Sequence, residues 1–255
     1  PIFAENAPSS GKTNLRTTAQ AFGDQLHCYT IVDAIRDGNV LPFRIDYINT
    51  FSVREGIDNY DVEGIDTESA FMDRRRIGAI VSYILEHFDQ KTKRSSSYEL
   101  KDQRVSGFNS LLATSSIKAA RAYYREFQRQ QEDLPSDKRR SIGIIFSYAP
   151  NEEAPGTGLL AEESMDPSAL SLDDRAFLDD AIAAYNDRFG TSFGTDASGF
   201  ENYYEHLSKA LTEKRIDLVI VVDMFLTGFD SKTLNTLWVD KNLHAHGLIQ
   251  AFSRT

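Results

Sequence analysis

The sequence predicts an α/β fold in which a mostly parallel sheet carries helices on both faces. Segments with helix-like and strand-like patterns alternate along the chain, and the best strand candidates are continuous apolar runs. Such runs are typical of strands buried on both faces, as in a sheet that lies between two layers of helices. With 255 residues and 41% hydrophobic content, the chain is large enough to form a substantial core.

The N-terminal part of the chain combines regular and irregular patterns. Residues 28–37 predict a short helix that ends at Gly38. Residues 40–51 alternate between apolar and polar side chains, which predicts a strand, whereas residues 52–68 are acidic and predict a loop. A long helix follows, with an apolar face formed by Ile77, Ile80, Val81, Ile84, Leu85 and Phe88. Residues 90–104 are polar and predict a loop or flexible insert.

The remainder of the chain follows a regular alternation. A helix is predicted over residues 116–131, with Ala120, Tyr124 and Phe127 on one face. Strands are predicted from the apolar runs at 107–113, 141–148, 216–223 and 235–240. The run at 216–223 is the most hydrophobic of these, so we expect it at the centre of the sheet.

Two further helices are predicted from capping boxes, in which a hydroxyl side chain and an acidic side chain three residues later satisfy free backbone N–H groups. Ser171 with Asp174 begins the first helix, which ends at Gly190, and Ser198 with Glu201 begins the second. The apolar faces are formed by Leu178, Ile182, Tyr185 and Phe189 in the first helix, and by Phe200, Tyr203, Tyr204, Leu207 and Leu211 in the second.

Composition excludes several classes of protein. The net charge of −10 argues against non-specific adhesion to nucleic acid, so any DNA contact must be a local patch. Cys28 is the single cysteine, which excludes a disulfide framework within the chain and suits a reducing cytoplasm. No apolar run approaches the length of a membrane span, and we expect no membrane association.

Three segments are candidates for binding, because ligands of open α/β sheets lie outside the carboxyl ends of the strands. Thr114, Ser115 and Ser116 form a strand-to-helix junction, where hydroxyls and free N–H groups suit a phosphate. Residues 223–231 follow the most hydrophobic strand and contain Thr227, Gly228 and Asp230. In the last segment, 246–255, Arg254 lies four residues after Gln250, and its guanidinium is suited to a phosphoryl group.

Simpler interpretations exist for each segment: an N-cap at 114–116, a structural turn at 223–231, and a surface arginine at 254. Residues 74–76 are three consecutive arginines, for which a solvated helix face is the default interpretation. The stretch Ser9–Thr13, "SSGKT", ends like a phosphate-binding P-loop, but Asn6 stands where that motif requires glycine. We find no set of residues that predicts a metal site.

Longer strings of sequence resemble the R subunit of type I restriction enzymes, the DNA-translocating motor and nuclease of those systems. The string "VVDMFLTGFDSKTLNTLWVDKNLHAHGLIQAFSRT" (221–255) resembles its fifth and sixth helicase motifs. The strings "TAQAFGDQLHCYTIVDAIRDGNVLPFRIDY" (18–47) and "GFNSLLATSSIKAARAYYREF" (107–127) look like the same subunit. The opening "PIFAENA" resembles the residues that follow its third motif.

The resemblance implies a RecA-like domain with three layers, of the P-loop NTPase type, and the second of two such domains in a superfamily 2 motor. Residues 1–27 would be the linker from the first motor domain. Residues 28–255 would be the second motor domain, with 52–105 as an irregular, helix-containing insert and with truncation at the C-terminal end. The string "SSGKT" would then be a coincidental turn in the linker.

The resemblance also implies the chemistry and the partners. Thr227, Gly228, Asp230 and Arg254 would bind nucleotide, Gln250 and Arg254 would act in catalysis, and Thr114–Ser116 with Thr227 would bind DNA. The cofactors would be ATP and Mg²⁺, held mainly by the first motor domain. The partners would be double-stranded DNA, the first motor and nuclease domains of the same subunit, and the methyltransferase (M) and specificity (S) subunits.

The resemblance leaves some roles and alternatives open. The sixth motif normally carries a second arginine three residues after the first, beyond Thr255, so which arginine acts on the phosphate is open. The parent protein would be a type I site-specific deoxyribonuclease and an ATP-dependent translocase, with this fragment inactive alone. The alternatives are another superfamily 2 translocase or remodeller, a non-catalytic interaction module of this fold, and a phosphotransferase that uses Lys12.

Overall fold

The computed structural model describes residues 27–39, 42, 44–50, 70–146, 171–222 and 231–241. These residues divide between two compact units, with those up to residue 46 in the first unit and those from residue 47 onward in the second. The domain boundary predicted between residues 27 and 28 stays a prediction.

The first unit contains helix α1, Ile31–Arg36. Thr30 is its N-cap: the Thr30 hydroxyl accepts from the Asp33 backbone N–H, and the Asp33 carboxylate accepts from the Thr30 backbone N–H at 2.9 Å. This reciprocal pair is a capping box, which satisfies two backbone donors that a helix otherwise leaves free. Gly38 follows the helix with φ +75°, so the predicted helix and its glycine end are confirmed.

The second unit contains the sheet and most of the helices. Its helices are α2 (Arg74–Lys91), α3 (Ile117–Gln131), α4 (Leu172–Phe189) and α5 (Ala197–Thr212). Its strands are β1 (Ser97–Leu100), β2 (Gln103–Ser106), β3 (Asn109–Thr114), β4 (Ile142–Phe146), β5 (Leu218–Val222) and β6 (Leu234–Asp240).

Four of these strands form a parallel sheet in the order β4-β5-β3-β6. Every residue of β3 and β5 is buried, so both faces of the two central strands are covered. This confirms the prediction of an α/β fold with a parallel sheet and helices on both faces, and the arrangement agrees with a three-layer RecA-like domain. The most hydrophobic strand, β5, is central as expected.

Two patterns in the sequence gave wrong predictions. Residues 44–50, predicted as part of a strand, are not in a strand, and Tyr47 is 91% exposed. Residues 90–104, predicted as a loop, contain the end of α2 and most of an antiparallel hairpin formed by β1 and β2. Lys101 and Asp102 at the hairpin turn both have positive φ. Glycine and asparagine usually occupy such positions, so the usual sequence signal for this turn is missing.

Helix α2 is a core helix of the second unit. Its buried apolar residues Ile77, Val81, Ile84 and Phe88 belong to the same cluster as the strands, which confirms the predicted apolar face. Polar groups also join it to α3: the Gln130 side-chain amide donates to the Gly78 carbonyl at 2.9 Å, and the Ser82 hydroxyl donates to Gln130 at 3.0 Å. Helix α2 is therefore held against α3 by both apolar and polar contacts.

The helix ends confirm one predicted cap and correct the other. Ser171 caps α4 by accepting from the Asp174 N–H, and Gly190 ends that helix in the left-handed conformation, as predicted. Helix α5 begins at Ala197 rather than after Ser198, because its N-cap is Asp196, which accepts from the Gly199 N–H. The Ser198 hydroxyl instead donates to Asp196 at 2.6 Å.

A charged cluster lies at the amino edge of the sheet, where β4 and β5 begin. The Asp217 carboxylate accepts from the Ser141 N–H and hydroxyl at 2.9 and 3.0 Å, and it pairs with Arg94 and Lys214. Burial alone would raise the pKa of Asp217, but the positive charges and the Ser141 bonds outweigh it and lower that pKa. Burial lowers the pKa of Lys214, whose side chain is 4% exposed. The cluster joins the starts of two strands.

Candidate functional site

The carboxyl edge of the sheet brings together the ends of the three strands that precede the candidate segments. Thr114, at the end of β3, is in register with Asp240, at the end of β6. On the other side of β3 lies β5, which ends at Val222. Residues 114–116, 223–231 and 246–255 thus belong to stretches of chain that leave three adjacent parallel strands at one edge. Neighbouring strands are about 5 Å apart, so these stretches begin within roughly 10 Å of one another.

Thr114 is buried within the sheet. Its side chain has no exposed surface, and its hydroxyl donates to the Val221 carbonyl of the adjacent strand at 3.2 Å. The hydroxyl therefore joins β3 to β5 and is not presented to solvent. Its predicted contact with DNA stays a prediction. In this conformation its side chain stabilises the sheet just before the β3–α3 junction.

Ser115 and Ser116 connect the end of β3 to the start of α3. Ser115 is exposed. Ser116 is the N-cap of α3, and its hydroxyl accepts from the Ala119 N–H at 3.1 Å, so the simpler N-cap interpretation is realised. The remaining N–H groups of the first turn carry the positive end of the helix dipole, an arrangement that favours phosphate. The geometry is compatible with an anion at this junction.

The other predicted site residues lie outside the described residues. These are the nucleotide and DNA candidates Thr227, Gly228 and Asp230, and the catalytic candidates Gln250 and Arg254. Their roles stay predictions, and the structure contributes the positions of the strands that precede them.

A buried charged network occupies the carboxyl edge beside Thr114, and the sequence interpretation missed it. The two terminal nitrogens of Arg76 donate to the two carboxylate oxygens of Asp240, one of them at 3.0 Å. The Tyr123 hydroxyl donates to Asp240 at 2.6 Å. The side chain of Arg76 is 6% exposed and that of Asp240 is 13% exposed. One carboxylate thus joins α2, α3 and the end of β6.

Further contacts hold the Arg76 guanidinium in place. Its Nε donates to the Thr50 hydroxyl at 3.2 Å, one terminal nitrogen donates to the Phe71 carbonyl at 3.0 Å, and the group lies over the Phe71 ring. Burial on its own would lower the pKa of Arg76, but Asp240 outweighs it and raises that pKa. Burial, followed by the Asp240 charge, raises the pKa of Tyr123, which therefore stays protonated and donates.

A signal for this network was present in the sequence. Arg76 lies four and eight residues before Ile80 and Ile84, on the apolar face of α2, so a solvated arginine was the wrong expectation at this position. Tyr123 similarly lies three residues after Ala120 and four before Phe127, on the buried face of α3. The partner of both, Asp240, is distant in sequence, and periodicity alone does not identify it.

The described part of the chain contains neither a cluster of metal ligands nor a helix that could span a membrane. Among those residues, no group of three or more histidine, cysteine, aspartate or glutamate side chains is arranged to hold a metal ion. No helix there has both the length and the apolar character that crossing a membrane requires.

Comparison with known proteins agrees with the resemblance noted above. Residues 106–255 match the family described as "Type I restriction enzyme subunit R domain 3". This match begins just before β3 and includes the whole parallel sheet, and it covers more than half of the chain.

Individual relatives extend the similarity to the whole chain. The chain is 39% identical over 261 aligned residues to the type I restriction enzyme SauCOLORF180P endonuclease subunit of Staphylococcus aureus, and 40% identical over 259 to the SsaAORF53P endonuclease subunit of Staphylococcus saprophyticus. Each alignment covers 100% of this chain and 25% of the relative. The HindI endonuclease subunit of Haemophilus influenzae is 38% identical over 61 residues, 21% of this chain and 6% of the relative. The chain therefore belongs to the family of type I restriction enzyme R subunits, of which it spans about a quarter.

Proposed function

We propose that this domain is the second motor domain of an ATP-dependent DNA translocase and endonuclease subunit. In this proposal Thr227, Gly228 and Asp230 contact the nucleotide, and Gln250 and Arg254 supply donors to its phosphates. The P-loop and the acidic residues that hold Mg²⁺ belong to a first motor domain. The match to a third domain of the R subunit leaves room for two others before it, which the proposal assigns to nuclease and first motor domains.

The observation that carries the proposal is the strand order β5-β3-β6. β5 and β3 lead directly into the segments with the candidate nucleotide and DNA residues, and β6 precedes the arginine segment 246–255, with residues 241–245 between them. Because carboxyl ends of neighbouring parallel strands form a common ligand-binding edge, one sheet edge is suited to present all three segments to a shared cleft. In this order β3 is the direct neighbour of both β5 and β6, so the strand that precedes the candidate DNA contact lies between the other two.

The DNA contact is proposed for the β3–α3 junction and Thr227. Exposed Ser115 and the first turn of α3 offer hydroxyl and N–H donors, which position a DNA backbone without reading its sequence. The net charge of −10 is compatible with such a local grip and disfavours a broad basic surface. Sequence recognition is assigned to a separate specificity subunit.

The proposed mechanism is closure of the cleft between the two motor domains. Closure brings Arg254 to the transferring phosphoryl group, where a permanent positive charge is most valuable because negative charge accumulates there in the transition state. Magnesium bound to the first domain would neutralise the remaining phosphate charge. The intact subunit would pull double-stranded DNA past a stationary complex in the cytoplasm, together with methyltransferase and specificity subunits, and cleave it remotely. The isolated domain would bind ATP weakly and turn over almost none.

The test is DNA-stimulated ATP hydrolysis by the full-length subunit assembled with its partners. Arg254→Ala is expected to lower the maximal rate by about a hundredfold or more, the range for an arginine that stabilises phosphoryl transfer. Arg175→Ala, an exposed arginine on α4, is the matched control and is expected to retain the rate. Lys12→Ala is also expected to be active, since loss of activity there would favour the phosphotransferase alternative. An Arg254→Ala rate equal to wild type would refute the role of this arginine.

A further inference from the structure

Helix α3 links the candidate DNA contact to the end of β6. Ser116 caps the amino end of α3, and Tyr123 lies seven residues later, which places it two turns along the helix, roughly 10 Å from the cap. From there the Tyr123 hydroxyl donates to Asp240, the last residue of β6. In the sequence, the segment 246–255 with Gln250 and Arg254 follows Asp240 after residues 241–245.

The link is buried and therefore stiff. Tyr123 is fully buried, and the Asp240 carboxylate is enclosed by Tyr123 and Arg76. Moving α3 away from β6 would strip a buried carboxylate of a hydrogen bond, and an incompletely satisfied buried charge is costly. When α3 shifts, moving the end of β6 with it therefore costs less free energy than breaking the Tyr123–Asp240 hydrogen bond.

In this network Tyr123 is not needed to compensate the buried charge of Asp240. Arg76 already neutralises Asp240 with two hydrogen bonds, so the carboxylate keeps a counter-charge without the tyrosine hydroxyl. Removing that hydroxyl leaves the ring in the core and the ion pair intact. What it removes is the direct bond between α3 and β6.

We propose that Tyr123 is a positioning residue that couples DNA binding at the amino end of α3 to the arginine-bearing segment after β6, through its hydrogen bond to Asp240. The inference rests on the proposed function. DNA that engages Ser115 and the first turn of α3 displaces or fixes the helix, and the Tyr123–Asp240 bond passes that change to the end of β6. Arg76 holds Asp240 in the geometry that Tyr123 requires.

The experiment compares Tyr123→Phe with two tyrosine-to-phenylalanine controls in the full-length subunit assembled with its partners. Tyr124→Phe makes the same chemical change at the next residue, where the ring packs edge-on against Phe177 instead. Tyr203→Phe removes a buried hydroxyl that donates to the Ile144 carbonyl at 2.7 Å, so it reports the effect of losing a buried hydrogen bond elsewhere in the core. ATP turnover is measured without DNA and across a titration of duplex DNA.

Tyr123→Phe is expected to lower maximal DNA-stimulated turnover by about fivefold or more, the lower end of typical coupling between two sites. Turnover without DNA, the KM for ATP and the DNA concentration for half-stimulation are expected to stay within about twofold of wild type, because both binding sites are intact. A purely structural role would not produce this separation. Both controls are expected to keep full stimulation.

Two results would overturn the coupling role. One is a Tyr123→Phe subunit with stimulated turnover within about twofold of wild type, and the other is an equal loss in Tyr203→Phe, which would indicate general destabilisation. Variants of the proposed nucleotide and DNA sites distinguish failure of the coupling role from failure of the proposed function. If Arg254→Ala abolishes stimulated turnover while Tyr123→Phe retains it, only the coupling fails. If Arg254→Ala and Ser115→Ala are both fully active, the proposed function fails.

Discussion

Asp217→Asn tests the charged cluster at the amino edge of the sheet. The Asp217 carboxylate accepts two hydrogen bonds from Ser141 and pairs with Arg94 and Lys214. The asparagine side chain has nearly the same shape but no charge. Its NH₂ group replaces one carboxylate oxygen and must therefore face hydrogen-bond donors of Ser141 or of Arg94 and Lys214. Lys214, with a side chain 4% exposed, would lose its nearby counter-charge. The substitution thus isolates the electrostatic contribution of the cluster from its packing.

The expected loss is about 3 kcal/mol in the free energy of unfolding. Breaking a buried ion pair from one side typically costs about 3–5 kcal/mol, because the partner charge stays buried without compensation. The lower end applies here because Arg94 is partly exposed and also lies 3.9 Å from Asp89. Asp89→Asn is the matched control. The Asp89 side chain is 59% exposed and bonds Arg140 at 2.7 Å, so its loss is expected to cost less than about 1 kcal/mol.

The assay is urea unfolding of the 255-residue chain at several pH values. The pKa of Asp217 is lowered on folding, so its contribution to stability is present above its usual value of 3.8 and is lost as pH falls through the folded pKa. The difference between wild type and Asp217→Asn should therefore shrink below about pH 4, near that usual value. Equal losses for Asp217→Asn and Asp89→Asn at neutral pH would refute the reasoning. Because the cluster lies opposite the carboxyl edge, DNA-stimulated turnover per folded molecule should be unaffected.

Two further predictions concern individual groups in the helices. Burial, then the charges of Arg215 and Lys209, lowers the pKa of His206, which bonds the Tyr185 hydroxyl at 2.8 Å. Its stabilising contribution is therefore present above about pH 6.5, the usual histidine pKa, and is lost as pH falls through the lower folded pKa. His206→Asn should flatten the stability profile between about pH 7 and 5, and an unchanged slope in urea unfolding would contradict this. Gly190→Ala should cost about 1 kcal/mol, because φ is +66° and the added Cβ meets nothing within 4 Å. Gly190→Asn should cost less, because asparagine tolerates the left-handed conformation better than alanine. If thermal unfolding shows that Gly190→Asn is as destabilised as Gly190→Ala, backbone conformation is not the cause.

The regular elements of the core could be predicted because they depend on local patterns. The apolar stripe of α2, the continuous runs of β3, β4 and β5, and the glycine end of α4 all follow from periodicity or from backbone conformation. The hairpin at 97–106 could not be predicted from its turn, because Lys101 and Asp102 adopt positive φ without the usual residues. The alternation at 44–50 failed because a strand also needs a partner, and alternation does not supply one.

The sequence by itself determined the fold class, the family and which segments follow the strands, because these depend on local periodicity and on long matched strings. Only the tertiary structure decided that β5 and β6 flank β3, so that the ends of the three strands preceding the candidate segments are neighbours at one edge. It alone also showed that Arg76 and Tyr123 meet Asp240, across separations of 164 and 117 residues. A buried charge takes its partner from whichever element packs beside it, and that choice follows from strand order, which no local pattern specifies.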